Sequence, residues 1–581
     1  MSPSRTIQTS KSADLVTFKI LSEGTELPAT AQVMHISVEK ELNRIPTAKI
    51  LILDGDPSSP NFPVSNADWF VPGKAIEIKA GYHADEETIF KGIVIKHSLK
   101  VRSNGSFLIV ECKDKAVKMT IGKHSRYFAD SSDNDIFEEI SGIYGLETDF
   151  EPTGFQHKQL VQYNSTDWDF VLTRAQACGK ICLIDDGQLS VKAPEYSQTE
   201  VATITFGATL LDFDAEIDAR NQFSQVNAFS WDPANQEVVE SEANDPSVSM
   251  SGNLGVDQLA QVTGNEKLEL NYGGTAADKP MQNWADAKTL FNQLAKVRGR
   301  VKFQGIPTCK PNTVLKLEGV GERFSGKVYV SAVRHEITEG QWTTDAQLGV
   351  NPVWFSESNA INDLPAAGLF PAIHGLQIGK VTQLESDPDG EDRIQIKCPM
   401  IDKDSDGIWA RIATLDAGNE RGSFFRPEID DEVIVGFIND NPNDAIVLGM
   451  LNSSAKPAPL KAKDDNHEKG FVTRSKIKFI FNDEKKSVVL ETPKGKKITV
   501  DDDAGIIKLE DESSNVMILN SDGIKLESMG KIEIKALKDV SIEGLNVSLK
   551  ANAMFKGEGM AGAQLTSSGA TIIKGSVVQI N

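Results

Sequence analysis

The sequence predicts a mainly β protein whose C-terminal end is a rod, and three observations carry that prediction. The first is a repeat between residues 514 and 553. Apolar residues recur there every eight positions at Val516, Ile524, Ile532 and Val540, shadowed two residues later by Ile518, Leu526, Ile534 and Ile542. The second is a succession of short apolar runs over residues 12–120, broken by Gly, Pro and Asp-Gly or Asn-Gly pairs. The third is a compact stretch, 376–452, that reads as strand throughout.

Within each repeat unit one polar residue (Lys525, Glu533, Ser541) separates the two apolar ones, the alternation of a strand with one buried face. A third apolar position, Met529, Leu537 and Leu545, keeps the same step, and Gly523, Gly530 and Gly544 fall where the chain must turn. The register slips by one residue at both ends, giving Ile507 and Leu509 on one side and Val547 and Leu549 on the other. Such a unit cannot fold alone. Ordering eight residues costs roughly 8–16 kcal/mol of backbone entropy, and two or three buried aliphatic side chains return about 4–8 kcal/mol. The deficit must come from neighbouring turns and from other chains, so the expected rod is a β-helix built by several copies wound together. Its expected core is Val516, Ile518, Ile524, Leu526, Ile532, Ile534, Val540, Ile542, Val547 and Leu549. A meander of short hairpins is the competing reading, disfavoured because hairpins rarely keep one fixed step over four units.

At 581 residues the chain exceeds one core and is expected to hold three or four domains. Its 40% hydrophobic and 25% charged content is ordinary for a soluble protein. A net charge of −22 argues against a nucleic-acid partner, which needs a basic face to displace counterions. Five scattered cysteines lack the close pairing of a zinc site and point to folding in a reducing cytoplasm. Residues 1–11 are polar, so no secretory signal is expected, and no apolar run is long enough to cross a membrane.

Strands are expected at 48–53, 75–79, 89–97 and 107–112, with turns at Asp54-Gly55, Pro72-Gly73, Gly81 and Asn104-Gly105. Three- and four-residue apolar spacing predicts helices over 135–143 and 166–177, with Asp133 or Asn134 and Ser165 or Thr166 as N-caps. Strands resume at 181–184 and 189–191 around the Asp186-Gly187 turn. Residues 232–280 are polar and read as a long excursion or insertion. An amphipathic helix follows at 285–296, and strands return from 301 to 349. A Pro- and Gly-containing joint at 364–375 precedes the all-strand unit, and a charged segment with Pro457 and Pro459 separates that unit from the rod.

In the all-strand unit, Gly379-Lys-Val, Trp409-Ala-Arg-Ile-Ala, Ala417-Gly, the run from Gly422 to Phe437 and the run from Asn441 to Gly449 resemble the OB-fold domain of VgrG and phage tail-spike proteins. That family has Gly-Asp-Pro where this chain has Asp440-Asn441-Pro442, a mild departure because Asn tolerates the left-handed turn conformation. The run from Tyr163 to Ala175, Asp186-Gly187-Gln-Leu, the run from Gly326 to His335 and Trp342-Thr343 resemble the phage late-control (hub) part of VgrG. The resemblance covers nearly the whole chain in the order hub, OB domain, rod. It implies a hub over residues 1–363 with two barrel-like modules and a helical insertion. An OB-fold domain over 364–452, a linker over 453–469 and an intertwined trimeric β-helical needle over 470–581 follow. It also implies a homotrimer that meets a hexameric inner tube protein and baseplate proteins. Such a trimer assembles in the cytoplasm into a secreted or injected phage-tail-like particle, and touches the target-cell envelope only transiently.

No catalytic, cofactor-binding or metal residue is expected. Asp402-x-Asp404-x-Asp406-Gly407 copies half a calcium loop, but the twelfth position is Ala413 instead of a bidentate Glu. Gly557-x-Gly559-x-x-Gly562 fits a dinucleotide fingerprint without the strand–helix setting it needs. His335-Glu336 begins like a zinc helix, yet Glu339 stands where the second His belongs. The rod carries no His or Cys after His467, so it cannot sharpen its apex with a metal, as certain phage spikes do. An apolar open end at Val577, Val578 and Ile580 is expected to dock a PAAR-type tip protein and effectors. The competing functions are a β-helical polysaccharide-degrading spike enzyme, which needs an acidic cleft on the rod, and a receptor-binding fibre, which needs a terminal recognition domain.

Overall fold

The computed structural model describes residues 15–580 apart from 57, 59, 104, 250, 265 and 360. It divides into two compact units, Met1–Ile373 with Asn439–Pro442, and His374–Ile438 with Asn443–Asn581. The protein is mainly β.

The first unit is organised by one 13-stranded sheet. Its strands alternate as period-2 patterning requires: Ala48, Ile50 and Ile52, then Ile76, Ile78 and Ala80, then Leu108, Val110 and Cys112 point into one core. A second core gathers Val301, Phe303, Leu315, Leu317, Val328 and Val330. The long strand Gly326–Thr338 joins the two, pairing with Gln341–Leu348 on one side and with Gln32–Glu41 on the other. These two cores therefore share a continuous sheet. Strand bounds run longer than expected, most of all for 89–97, which lies within the 18-residue strand Asp85–Arg102. Gly81 lies inside the strand Ala75–Tyr82, and the reversal falls on His83 and Ala84, both left-handed. Glycine is needed there because a Cβ would sit 1.9 Å from the Asp85 carbonyl oxygen. Of the Asn104-Gly105 pair, Asn104 lies outside the described residues.

The helices Asp133–Ile143 and Asp167–Ala177 pack on a third core containing Phe137, Ile140, Val171 and Leu172. The first is capped by Ser132, not by Asp133 or Asn134. Ser132 Oγ accepts from the Asp135 amide at 3.2 Å, while the Asp135 carboxylate accepts from the Ser132 amide at 2.8 Å. The second is capped by Thr166. Residues 232–280 form more structure than an excursion. Strands Glu237–Glu242 and Lys267–Asn271 flank Gln225–Asp232 in a three-stranded sheet, and Val256–Thr263 is helical. Leu268 and Leu270 pack toward Met281 and Ala285 of the helix Asp278–Leu294, while Lys267, Glu269 and Asn271 are exposed. A short strand needs only two inward residues, too few to stand out in a polar stretch.

The second unit begins with a closed five-stranded barrel of Gln377–Gln383, Ile394–Lys397, Ile408–Ile412, Ala445–Met450 and Glu432–Phe437. Val381, Ile394, Ile396, Ala410, Val433, Val435 and Val447 fill it. The left-handed residues before Pro442 are Asn439 and Asp440 rather than Asn441, because the residue preceding a proline is pushed toward extended backbone. Beyond the barrel, seven strands from Glu468–Val472 to Gly523–Glu527 form an antiparallel meander. Hairpins therefore do build the first part of the rod segment, including the repeat units at Val516 and Ile524. From residue 528 to 580 no strand is assigned among the described residues.

Candidate functional site

The meander presents an apolar face that its own chain does not cover. Each of its strands has five residues, and directly opposed residues share a face. Phe479 opposes Leu490, which opposes Ile498, which opposes Leu509, then Met517, then Leu526. A parallel row runs Phe481, Val488, Val500, Ile507, Leu519 and Ile524. Two uninterrupted apolar rows thus cross six strands. Leu490, Ile498, Val500, Ile507 and Leu509 are each 40–42% exposed, and Ile524 is 70% exposed. A groove of about 600 Å³ lies along this face, bounded by Leu490, Ile498, Leu509, Met517 and Leu526.

The opposite face carries the charges. Lys478 pairs with Glu491 at 3.3 Å, Lys497 with Glu510 at 3.9 Å, and Lys525 with Glu527 at 2.7 Å. The Lys525 hydrogen bond lowers the Glu527 carboxyl below its ordinary range. Gly495 and Gly505, both with positive φ, turn the hairpins where a side chain would strain the backbone. Across these six strands the charges are confined to this face, which Ile480, Val489, Val516 and Ile518 share with them.

The register splits the core expected from the octad. Ile524 and Leu526 lie on the apolar face, whereas Val516 opposes Glu527 and Ile518 opposes Lys525, on the charged face. Met517 and Leu519 take their places. The cause is geometric: an eight-residue step keeps one face in a coil, but here the strand reverses and opposed positions have opposite parity. Ile532, Ile534, Val540, Ile542, Val547 and Leu549 all lie beyond the last strand and are all exposed, as are Val577, Val578 and Ile580. Phe479, Phe481, Val488, Leu490, Ile498 and Val500 escaped the sequence reading. Their strands alternate just as the octads do, but their hairpin turns differ in length, so no fixed step marks them.

The chemical motifs resolve into local structure. Asp402 Oδ1 accepts from the amides of Asp404 at 2.8 Å and Ser405 at 3.3 Å, so this carboxylate stabilises its own turn. Among the described residues no group of three or more His, Cys, Asp or Glu is placed to hold a metal. His335 lies in a strand, buried, with Nδ1 3.0 Å from Thr344 Oγ1. Burial, reinforced by Lys40 and Lys310, lowers its pKa to about 3. A Cβ on Gly559 would meet the Gly562 carbonyl oxygen at 2.2 Å, so that spacing serves a tight chain reversal. Among the described residues no helix is long and apolar enough to cross a membrane.

Residues 12–339 match the family described as the Alg8 N-terminal domain, and residues 377–451 match the Type VI secretion system/phage-baseplate injector OB domain. Among solved structures, the chain is similar to the 43 kDa tail protein of prophage MuSo2 from Shewanella oneidensis. The two share 12% identity with a TM-score of 0.44, covering 58% of this chain and 98% of that one. It is similar to a tail protein from Neisseria meningitidis MC58 at 14% identity and a TM-score of 0.44, covering 59% and 98%. An E. coli component of the type VI secretion system, itself described as similar to the T4 tail proteins gp27 and gp5, aligns at 13% identity and a TM-score of 0.36. That alignment covers 74% of this chain and all 100% of the other. Among curated proteins none matches.

Proposed function

We propose, from a chain that belongs to the Alg8 N-terminal domain family and, through its injector OB domain, to the VgrG and tail-spike hub proteins, that three copies form the central spike of a contractile injection system. The observation that carries this reading is the uncovered apolar face of the meander, continued by the exposed repeat from Ile532 to Leu549. Leaving a dozen such side chains half in water forfeits on the order of 10 kcal/mol of burial per chain. Three faces turned toward a common axis recover it, and winding the extended segments together satisfies backbone groups that one chain leaves open. The result is a stiff needle that acts mechanically and not by catalysis.

In this reading residues 1–363 form the hub, 364–452 the collar, 453–469 a linker and 470–581 the needle. The hub meets a hexameric inner tube protein and baseplate proteins. Val577, Val578 and Ile580 dock a PAAR-type tip protein, with effectors carried beside or beyond it, and the needle meets the target-cell envelope only on firing. Light scattering on the purified full chain tests the assembly: a mass of three chains supports it and a monomer overturns it. Pull-down of the tip protein tests the apex, with retention by the unaltered chain and loss in Val578→Asp, Ile580→Asp. Equal retention by both would remove the apex from the account.

A further inference from the structure

The first unit contains a cavity of about 170 Å³ that no residue of its own fills. Phe155, Tyr272, Met281, Trp284 and Trp354 wall it, and Arg174 reaches its floor. Trp354 is 7% exposed, yet its indole Nε1–H has no hydrogen-bond partner among the described residues. A buried donor left open costs free energy, so this one calls for an acceptor brought from outside.

The floor sets the charge of that acceptor. Arg174 donates to Asp133 from Nε at 2.8 Å and from Nη2 at 3.2 Å, and His157 Nε2 lies 3.0 Å from the same carboxylate. The guanidinium charge is thereby matched within the protein, and a free anion gains little by entering. A neutral aromatic ring bearing an oxygen fits better: an apolar cavity of about 150 Å³ holds one benzene ring, and the open indole N–H can donate to a phenol oxygen.

The same unit displays that group. On the ribbon of His124–Ser132 and Gln156–Ser165, Tyr127 opposes Val161, and both share their exposed face with Tyr163. Tyr127 is 81% exposed, so it does not occupy the cavity of its own chain. Val161 is four residues from His157, which places knob and hole about 13 Å apart along one strand. A knob and a hole at different places on one subunit make a head-to-tail contact, which closes into a ring at a suitable rotation.

We infer that the Tyr127 ring of one copy enters the Trp354–Trp284 cavity of the next, its phenol oxygen accepting from Trp354 Nε1–H. This contact would lock the hub blocks to one another separately from the shaft. The inference rests on the trimer proposed above. To test it, Tyr127 is replaced in the full chain by p-azidophenylalanine, which keeps the single ring the cavity can hold and places it at an exposed position. After irradiation, covalent dimers and trimers on a denaturing gel, with the adduct on Met281 or a neighbouring wall residue, support the contact. A mass of three chains without covalent oligomers, or with adducts elsewhere, overturns this contact and leaves the trimer standing. A mass of one chain overturns both.

Discussion

The OB barrel and the shaft meander are built from similar strands and solve the problem of burial in opposite ways. Both use strands of about five residues with apolar alternation. In the barrel the sheet closes on itself, and Val381, Ile396, Val433, Val435 and Val447 are wholly buried. In the meander the sheet stays open, and Leu490, Ile498 and Leu509 remain near two-fifths exposed. Alternation shows that a face is apolar. Whether the chain itself or another copy covers that face depends on closure, which long-range pairing decides.

The comparison breaks most sharply at the shaft. Ile498→Asp with Leu509→Asp places two charges on the face that the other copies would cover in the proposed trimer, and burying unpaired carboxylates costs several kcal/mol each. The full chain is expected to lose its trimeric mass by light scattering, while the barrel keeps its fold. In the barrel, Ile396→Ala opens a cavity in a closed core and should destabilise it by about 2–5 kcal/mol. Its melting temperature should fall by the same amount at every protein concentration, and the trimer should survive. Ile498→Ala should instead give a loss that deepens on dilution.

A pH series separates the regions by a different route. His335 has a pKa lowered to about 3 by burial, against about 6.5 when unfolded. The unfolded chain binds the extra proton between those values, so stability is full above pH 6.5 and falls as pH drops toward 3. The full effect is on the order of 5 kcal/mol. It should appear in chemical denaturation of the first unit, and His335→Gln should flatten the slope between pH 6 and 4. The smallest expected effect sharpens the register. Met517→Ser with Leu519→Ser should lower the melting temperature of the trimer more than Val516→Ser with Ile518→Ser, because only the first pair lies on the apolar face. Equal losses would restore the octad phase.

The sequence made the barrel legible because five strands with a shared core in 75 residues leave few arrangements, and Gly379 and Gly407 stand where neighbouring atoms exclude a Cβ. The three- and four-residue apolar spacing located both hub helices within two residues, while the cap of the first was misplaced. Residues 516–527 were legible as strand and as apolar, but their phase was not, and from 528 to 580 the expected strands have no counterpart among the described residues. An octad fixes spacing along the chain, while the face each residue takes depends on how the next strand pairs. The sheet within 232–280 was hidden for a related reason: Leu268 and Leu270 are its inward signal on one strand, and their partner helix lies outside the segment. The hub cavity was invisible, since it joins Phe155, Tyr272, Trp284 and Trp354 from separate elements.

Hydrogen exchange along residues 528–549 of the purified full chain tests most directly whether other copies complete the shaft. In a single chain these amides have no strand partner, and they would exchange within seconds. If three copies wind together, the amides around Ile532, Ile534, Val540 and Ile542 stay protected for hours. Rapid exchange there in a protein of three-chain mass would contradict the account.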